Sequence, residues 1–464
     1  MQGDLRRRTL LTAAALVPAS GLLASCDGDD RPAGGRTTPV APRSLDVNPD
    51  ASLEIVVPEG GYGQEHLRFD LDMYRELYPG ARERGKVTAV PEIATALQPR
   101  FDAGDPPDVL ANSGAKRLNA SRLENAGQLA DLTPLLDAQS WDQPDRTVRE
   151  MLIPGTVESG SYDGVPRVLN YVNTVYALWY SAPLFDKYGW SAPRTWDELL
   201  RTAAEMKAKN LAPFIYAGLR PQYLFEAIMT LAAKSGGLDV VKHVDNLEDG
   251  AWKDPSLAAA AAAFSGLAGR GYVFTGSRGL DPLQSQTRFV GSKAGLLPCG
   301  SWLANEMRNA TPKGFGLTAM ALPPLDGSAR LPNGVHVTPS ESFVVPAAAK
   351  NRIGGMEFLR AMLSVKAAAN FSELTSTLTV VRSAGDLLVA DAAFKSACEL
   401  LRIAGDQTIN WYFASWYPAL GTATAEATGA LMAGAITVAE WAERLQKAAD
   451  DVKKDSSVTK FRRG

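Results

Sequence analysis

Histidine and cysteine are scarce in this 464-residue chain, with three of each. His66, His243 and His336 stand far apart, with no H-E-x-x-H or other metal-ligand spacing. That argues against a bound metal and against a His-based catalytic centre, and no motif calls for a cofactor. Cys299 and Cys398 show no framework spacing. Two isolated buried thiols are the preferred reading, although an exported disulfide is chemically possible. No block of Lys or Arg stands out, and 48 basic against 51 acidic residues leave a formal charge of −3. Nothing points to nucleic acid. The uncharged run at residues 9–25 contains Pro18, Ser20 and Gly21 and is short of the about 20 apolar residues of a membrane span. What remains is 45% hydrophobic and 21% charged, the balance of a globular chain.

The N-terminus is the most informative segment. Arg6-Arg7-Arg8 precede the uncharged run, which closes on Leu23-Ala24-Ser25-Cys26. Basic start, short apolar run and small residues are the layout of a secretion signal. Leu-Ala-Ser-Cys resembles the lipobox of bacterial lipoproteins, which implies a lipidated Cys26 and cleavage just before it. Arg7-Arg8-Thr9-Leu10-Leu11 resembles a twin-arginine signal, which implies export after folding. Residues 1–25 are then signal, and their arginines leave the mature chain at about −5. Residues 26–50, poor in apolar side chains, read as a tether with a reach of roughly 25–30 Å. The expected place is the outer face of the cell membrane. About 440 remaining residues are too many for one ordinary core, so two domains are expected.

Beyond the tether the pattern alternates. Leu53–Val57 reads as a strand ending in a Pro58-Glu59-Gly60-Gly61 loop. Leu67, Leu71, Tyr74 and Tyr78 recur at helical steps, and Pro79-Gly80 stops them. Lys86–Val90 reads as the next strand, and strand–helix–strand order implies a parallel sheet. Further strands are expected at 108–110, 175–180 and 214–217. Thr195–Glu198 and Thr437–Glu440 predict capping boxes. The fold class is α/β.

The chain resembles extracellular solute-binding proteins of carbohydrate ABC transporters, the two-lobed type that includes maltose-binding proteins. The segments responsible are Phe101–Val109, Asp163–Pro166, Ala177–Tyr180, Leu184–Gly189, Thr195–Leu199, Gln286 with Phe289 and Gly291, Gly300-Ser301-Trp302 and Phe343–Pro346. They span nearly the whole mature chain. Leu297–Leu303 and Glu341–Pro346 further resemble the actinobacterial N-acetylglucosamine/diacetylchitobiose binders. The resemblance implies a periplasmic-binding-protein-like fold of two lobes, each a mostly parallel sheet flanked by helices, joined by hinge strands. One lobe would be 51–168 plus 340–383, the other 169–339 plus 384–464. It implies a monomer without catalysis that takes a carbohydrate between the lobes and passes it to permease subunits.

A pyranose has an apolar C–H face and a rim of hydroxyls, so its site needs an aromatic ring and carboxylate or amide groups. Trp302 is the first candidate, because the related binders place a stacking Trp after Gly-Ser. Glu306 lies four residues on, on the same helical face. Trp411 and Trp416 belong to the densest aromatic cluster, 411–417. Glu59 and Tyr62 flank the loop after the first strand, where a parallel sheet presents ligand-binding groups. Asn112 and Ser113 hold the matching place after the 108–110 strand. Asn173 sits beside the implied first hinge, Gln222 and Tyr223 follow a turn at Pro221, and Glu341 precedes the second hinge strand. Asp105, Asp108, Trp179, Tyr180 and Trp196 are assigned to structure. Trp252 reads as a surface anchor or a lid. Two other classes stay open: a secreted glycoside hydrolase, which would need two carboxyl groups about 5–9 Å apart, and a sugar sensor for a membrane signalling partner.

Overall fold

The computed structural model describes residues 45–59, 62–113, 116–382, 384 and 391–464. The signal segment, Cys26 and the tether as far as residue 44 lie outside them. Residues 45–50 lie against the domain: Val47 is buried, and Pro49 accepts a bond from the Gly80 amide at 2.8 Å.

The first half of the sheet is β1 (Leu53–Pro58), β2 (Gly85–Val90) and β3 (Val109–Ala111), with β1 parallel to both neighbours. The helix Glu65–Leu77 returns the chain between β1 and β2, burying Leu67, Leu71 and Tyr74 as their spacing requires. Asp108 ties this half together. Its two oxygens accept from the Glu54 amide at 2.8 Å and the Asn351 amide at 2.7 Å. A small hairpin, β4 (Ser161–Tyr162) with β5 (Val165–Pro166), then leads into β6 (Leu169–Ser181).

β6 is 13 residues long, far more than the 175–180 strand anticipated. It runs antiparallel to β10 (Val335–Val344) from Leu169↔Phe343 to Tyr176↔His336. The far end of β10 pairs with β3. The far end of β6 enters the second half of the sheet, pairing with β8 (Ala294–Gly300) on one edge and β9 (Leu317–Met320) on the other. β7 (Ala212–Phe214) lies parallel to β8, and β11 (Thr408–Ile409) parallel to the start of β10. The order is β2-β1-β3-β10-β6-β8-β7. Two long strands thus belong to both halves, and they are the hinge of a two-lobed α/β fold.

The helix Gln222–Gly236 is buried continuously from Leu224 to Lys234 and forms the centre of the second lobe. Trp252 packs against its Phe225 and against Phe413 and Trp441, with 0% of its surface exposed. The reading of Trp252 as a surface anchor or lid is therefore wrong. Its charged neighbours Lys253 and Asp254 are visible in the sequence, but the rings that enclose it come from distant helices. The capping box at Thr437 forms fully. At Thr195 only half forms, because Glu198 reaches the Arg194 amide instead of that of Thr195. The strand expected at 214–217 lies instead at 212–214, since beyond Phe214 the chain leaves the sheet toward Gly218, whose amide bonds to the Ser277 carbonyl. Cys299 is buried on β8, Cys398 is half-buried on the helix Ala392–Ala404, and no disulfide joins them.

Candidate functional site

Where β6 and β10 cross between the lobes, facing residues point to the same side because side-chain direction alternates along each strand. Tyr176 therefore meets His336, with ring centroids 4.6 Å apart and planes 29° apart. His336 in turn stacks on Trp411 at 3.7 Å and 7°. The His336 Nδ1 lies 2.9 Å from the Ile409 carbonyl oxygen, so Nδ1 carries a proton. Its Nε2 faces the Thr338 hydroxyl at 2.9 Å and Glu226 Oε2 at 3.2 Å. Glu226 comes from the Gln222–Gly236 helix, and its other oxygen accepts from Gln222 Nε2 at 3.4 Å. The Tyr176 hydroxyl is pushed well up, by burial first and then by the charge of Glu226.

Trp302 stands at the end of β8. A Cβ on Gly300 would lie 2.0 Å from its indole, so the ring rests directly on the Gly300 backbone. Its centroid is 5.4 Å from Tyr176, nearly edge-on, and 5.3 Å from Tyr223. The ring is half-buried rather than enclosed. One turn on, Glu306 is exposed over much of its length, and its Oε2 accepts from Gln286 Nε2 at 2.8 Å. Gln286 is 1% exposed, and its Oε1 has no partner among the described residues.

The first lobe contributes Tyr62, Ser113 and Glu341. Tyr62 packs edge-on against Phe371 at 5.2 Å. Burial pushes its hydroxyl up, and the carboxylates of Glu341 and, more weakly, Glu306 push it the same way against a bond with Thr377. Tyr62 thus feels one carboxylate from the hinge strand and one from the second lobe. Glu341 lies within β10 yet has φ +56°, a left-handed conformation that disfavours any side chain. Its Oε1 accepts from Ser113 Oγ at 2.5 Å, and burial raises its pKa despite that bond. Asn173, 2% exposed on β6, has an Oδ1 with no partner among the described residues.

The junction therefore brings together Trp302, Tyr223, Glu306, Tyr62, Ser113, Glu341 and Asn173. Other candidates stand elsewhere or are otherwise engaged. Asn112 is 1% exposed, and its amide closes the following loop through Leu118, at 3.0 Å to the carbonyl and 2.8 Å from the N–H. Glu59 is exposed at the end of β1, and Gln222 is exposed at its helix start with its amide on Glu226. Trp411 lies behind His336. Trp416 belongs to a separate ring group, 5.3 Å from Tyr412 and 5.7 Å from Phe461. Four residues of the junction were missed: Tyr176, His336, Glu226 and Gln286. Gln286 was visible as one of the family-like segments. Nothing local marks the other three, because their meeting depends on strand register.

Residues 74–369 match the family of bacterial extracellular solute-binding proteins. The chain is 31% identical over 472 aligned residues to the diacetylchitobiose binding protein NgcE of Streptomyces coelicolor, covering 99% of this chain and 98% of that one. Among solved structures, a chitin oligosaccharide binding protein superposes with a TM-score of 0.67 at 20% identity, over 86% of this chain and 98% of that one. A probable secreted solute-binding lipoprotein from Streptomyces coelicolor superposes at 0.68 and 20%, over 87% and 99%. At such identities the structures speak for the shared two-lobed fold, whereas the sequence matches speak for descent. This chain belongs to the bacterial extracellular solute-binding protein family.

Proposed function

We propose that the chain captures an oligosaccharide between its lobes, an N-acetylated amino-sugar disaccharide of the diacetylchitobiose kind, and delivers it to the permease subunits of an ABC transporter. The carrying observation is the ring group Trp302, Tyr176 and Tyr223 with the carboxylate of Glu306 one helical turn beyond Trp302. Rings cover the apolar face of a pyranose, and carboxylates accept its hydroxyls. The similarity to NgcE supports the choice of sugar. Closure about β6 and β10 would shut out water and strengthen each polar contact. Ligand should return intact from long incubation, since carriage requires release without reaction.

In this proposal Cys26 carries the lipid that holds the monomer at the outer membrane face. Cys26→Ala should leave an uncleaved or freely secreted form, and a variant still lipid-labelled like the natural chain would overturn the anchor.

A thermal-shift series of the mature domain with mono- and disaccharides tests the sugar reading. Ligand at one hundred times Kd adds about 2.7 kcal/mol of stability. Diacetylchitobiose should raise the melting temperature in a saturable way. No shift with any sugar, or cleavage of the disaccharide, would refute the proposal.

A further inference from the structure

His336 and Glu226 meet behind the ring group, and their polar atoms fix what the pair must hold. Both are enclosed, at 1% and 6% exposure. The Ile409 carbonyl can only accept, so the Nδ1 of His336 donates to it. The other ring nitrogen, Nε2, lies 3.2 Å from Oε2 of Glu226. In a neutral ring protonated at Nδ1, Nε2 is an acceptor, and an ionised carboxylate is an acceptor only. Two acceptors at that distance repel. The Thr338 hydroxyl, 2.9 Å from Nε2, fits either state because it donates or accepts. No aligned hydrogen bond reaches the Glu226 Oε2 among the described residues, so the ring nitrogen is what compensates it. The contact therefore needs one proton between the two residues, as imidazolium and carboxylate or as neutral ring and carboxylic acid.

That proton acts on the ring group through Tyr176. Tyr176 rests its face on the imidazole, 29° from parallel, and turns its edge to Trp302. The imidazole is thus the surface that sets the plane of Tyr176, and a force that tilts it moves a ring of the proposed sugar platform. Four elements face the imidazole: Tyr176 from β6, Thr338 from β10 itself, Ile409 and Trp411 from β11 and just beyond, and Glu226 from the Gln222–Gly236 helix. Glu226 is the charged member. Tyr223 and Cys299 act on Tyr176 from beyond it, and burial pushes the pKa of each up, which keeps them neutral. Lys234, two turns along the same helix, donates to the Gly334 carbonyl at 2.9 Å, and burial pushes its pKa down to about 8.

Building on the sugar-binding proposal, we infer that Glu226 is a positioning residue: the proton it shares with His336 holds the imidazole under Tyr176, and sugar affinity falls when that proton is lost. With the proton gone, Nε2 and Oε2 repel, the imidazole leaves its place between Trp411 and Tyr176, and fewer molecules present the ring group in binding order. By linkage, sugar bound at alkaline pH draws the proton back.

Calorimetric titration of the mature protein with diacetylchitobiose at pH 6 and pH 9 tests this. Affinity should fall by about fivefold or more at pH 9, as a competent fraction cut to about one fifth would give. Binding at pH 9 should take up a proton, read from binding heats in two buffers of different ionisation enthalpy. Glu226→Gln carries an amide N–H that can meet a neutral Nε2 without a shared proton. It should lose the pH dependence and the uptake, and at pH 9 it should bind more tightly than the natural protein, with thermal melts to show that it is folded. Equal affinity of the natural protein at the two pH values overturns the inference. So does a fall or an uptake that persists in folded Glu226→Gln, which would pass the effect to Lys234. If the variant does not fold, absence of proton uptake by the natural protein overturns it. In each of these cases the sugar reading stands. If the natural protein binds no diacetylchitobiose at either pH, both fall.

Discussion

The imidazole of His336 lies 3.7 Å from the indole of Trp411 and within 7° of parallel to it. With Tyr176 beyond, three rings form one column that ties the segment after β11 to both hinge strands. Tyr176 is the member of this column that reaches Trp302. Trp411 serves as its backing, 8% exposed. Tyr176→Ala should therefore weaken sugar binding by about thirtyfold or more, in the range of an interface hot spot. Tyr176→Phe should retain most of the affinity. Equal affinities for all three proteins by calorimetry would remove Tyr176 from the site.

Trp302→Ala should also lose about 2 kcal/mol or more of binding free energy. The ring is only half-buried, so the ligand-free variant should keep most of its stability. An enclosed Trp behaves the other way, with about 3–5 kcal/mol lost from folding. A large drop in apo melting temperature with unchanged affinity would make Trp302 a packing residue.

Glu341 combines a left-handed backbone, φ +56°, with a buried carboxylate. Both are unfavourable to folding, and strain of this kind gathers at ligand sites. Glu341→Gly removes both. The backbone relief of about 1–2 kcal/mol exceeds or matches the entropic penalty of glycine in a strand. The variant should melt at an equal or higher temperature and bind sugar more weakly. A marked loss of stability would show that Glu341 is there to hold the strand.

Burial depresses the pKa of His66 to about 4, and its Nδ1 has no partner among the described residues. The folded value lies below the unfolded one, so the unfolded chain binds the extra proton. Stability from this residue is complete above about pH 6.5 and is lost as pH falls through about 4. His66→Phe keeps the edge-on packing with Phe371, 4.8 Å away, without the proton. At pH 5 it should gain about 2 kcal/mol relative to its effect at pH 8. Parallel denaturation curves at the two pH values, offset equally, would contradict this.

Asn112 satisfies both atoms of its amide within one loop. Asn112→Ala leaves the Leu118 amide and carbonyl buried without partners and should cost about 1–3 kcal/mol for each group that stays dry. The midpoint of urea unfolding should fall with little change in slope. A variant of natural stability that binds sugar poorly would instead return Asn112 to the ligand.

By itself the sequence determined the elements whose causes are local. The spacing of Leu67, Leu71 and Tyr74 placed a helix, Thr437 and Glu440 capped another, and the first strands and their parallel order followed from the alternation of apolar runs. The two-lobed sugar carrier was indicated by the resemblance of ordered short segments to a known family, whereas local patterns by themselves reached only an α/β fold with a parallel sheet. Tertiary structure alone decided which side chains meet. Tyr176 faces His336 only because β6 and β10 pair in that register, and a shift of one residue would turn every side chain to the other face. It set Trp411 behind that pair, put Trp416 in another ring group and enclosed Trp252 among helices distant in the chain. Such contacts are fixed by packing across long loops, and no pattern within a few residues of any one of these side chains encodes its partners.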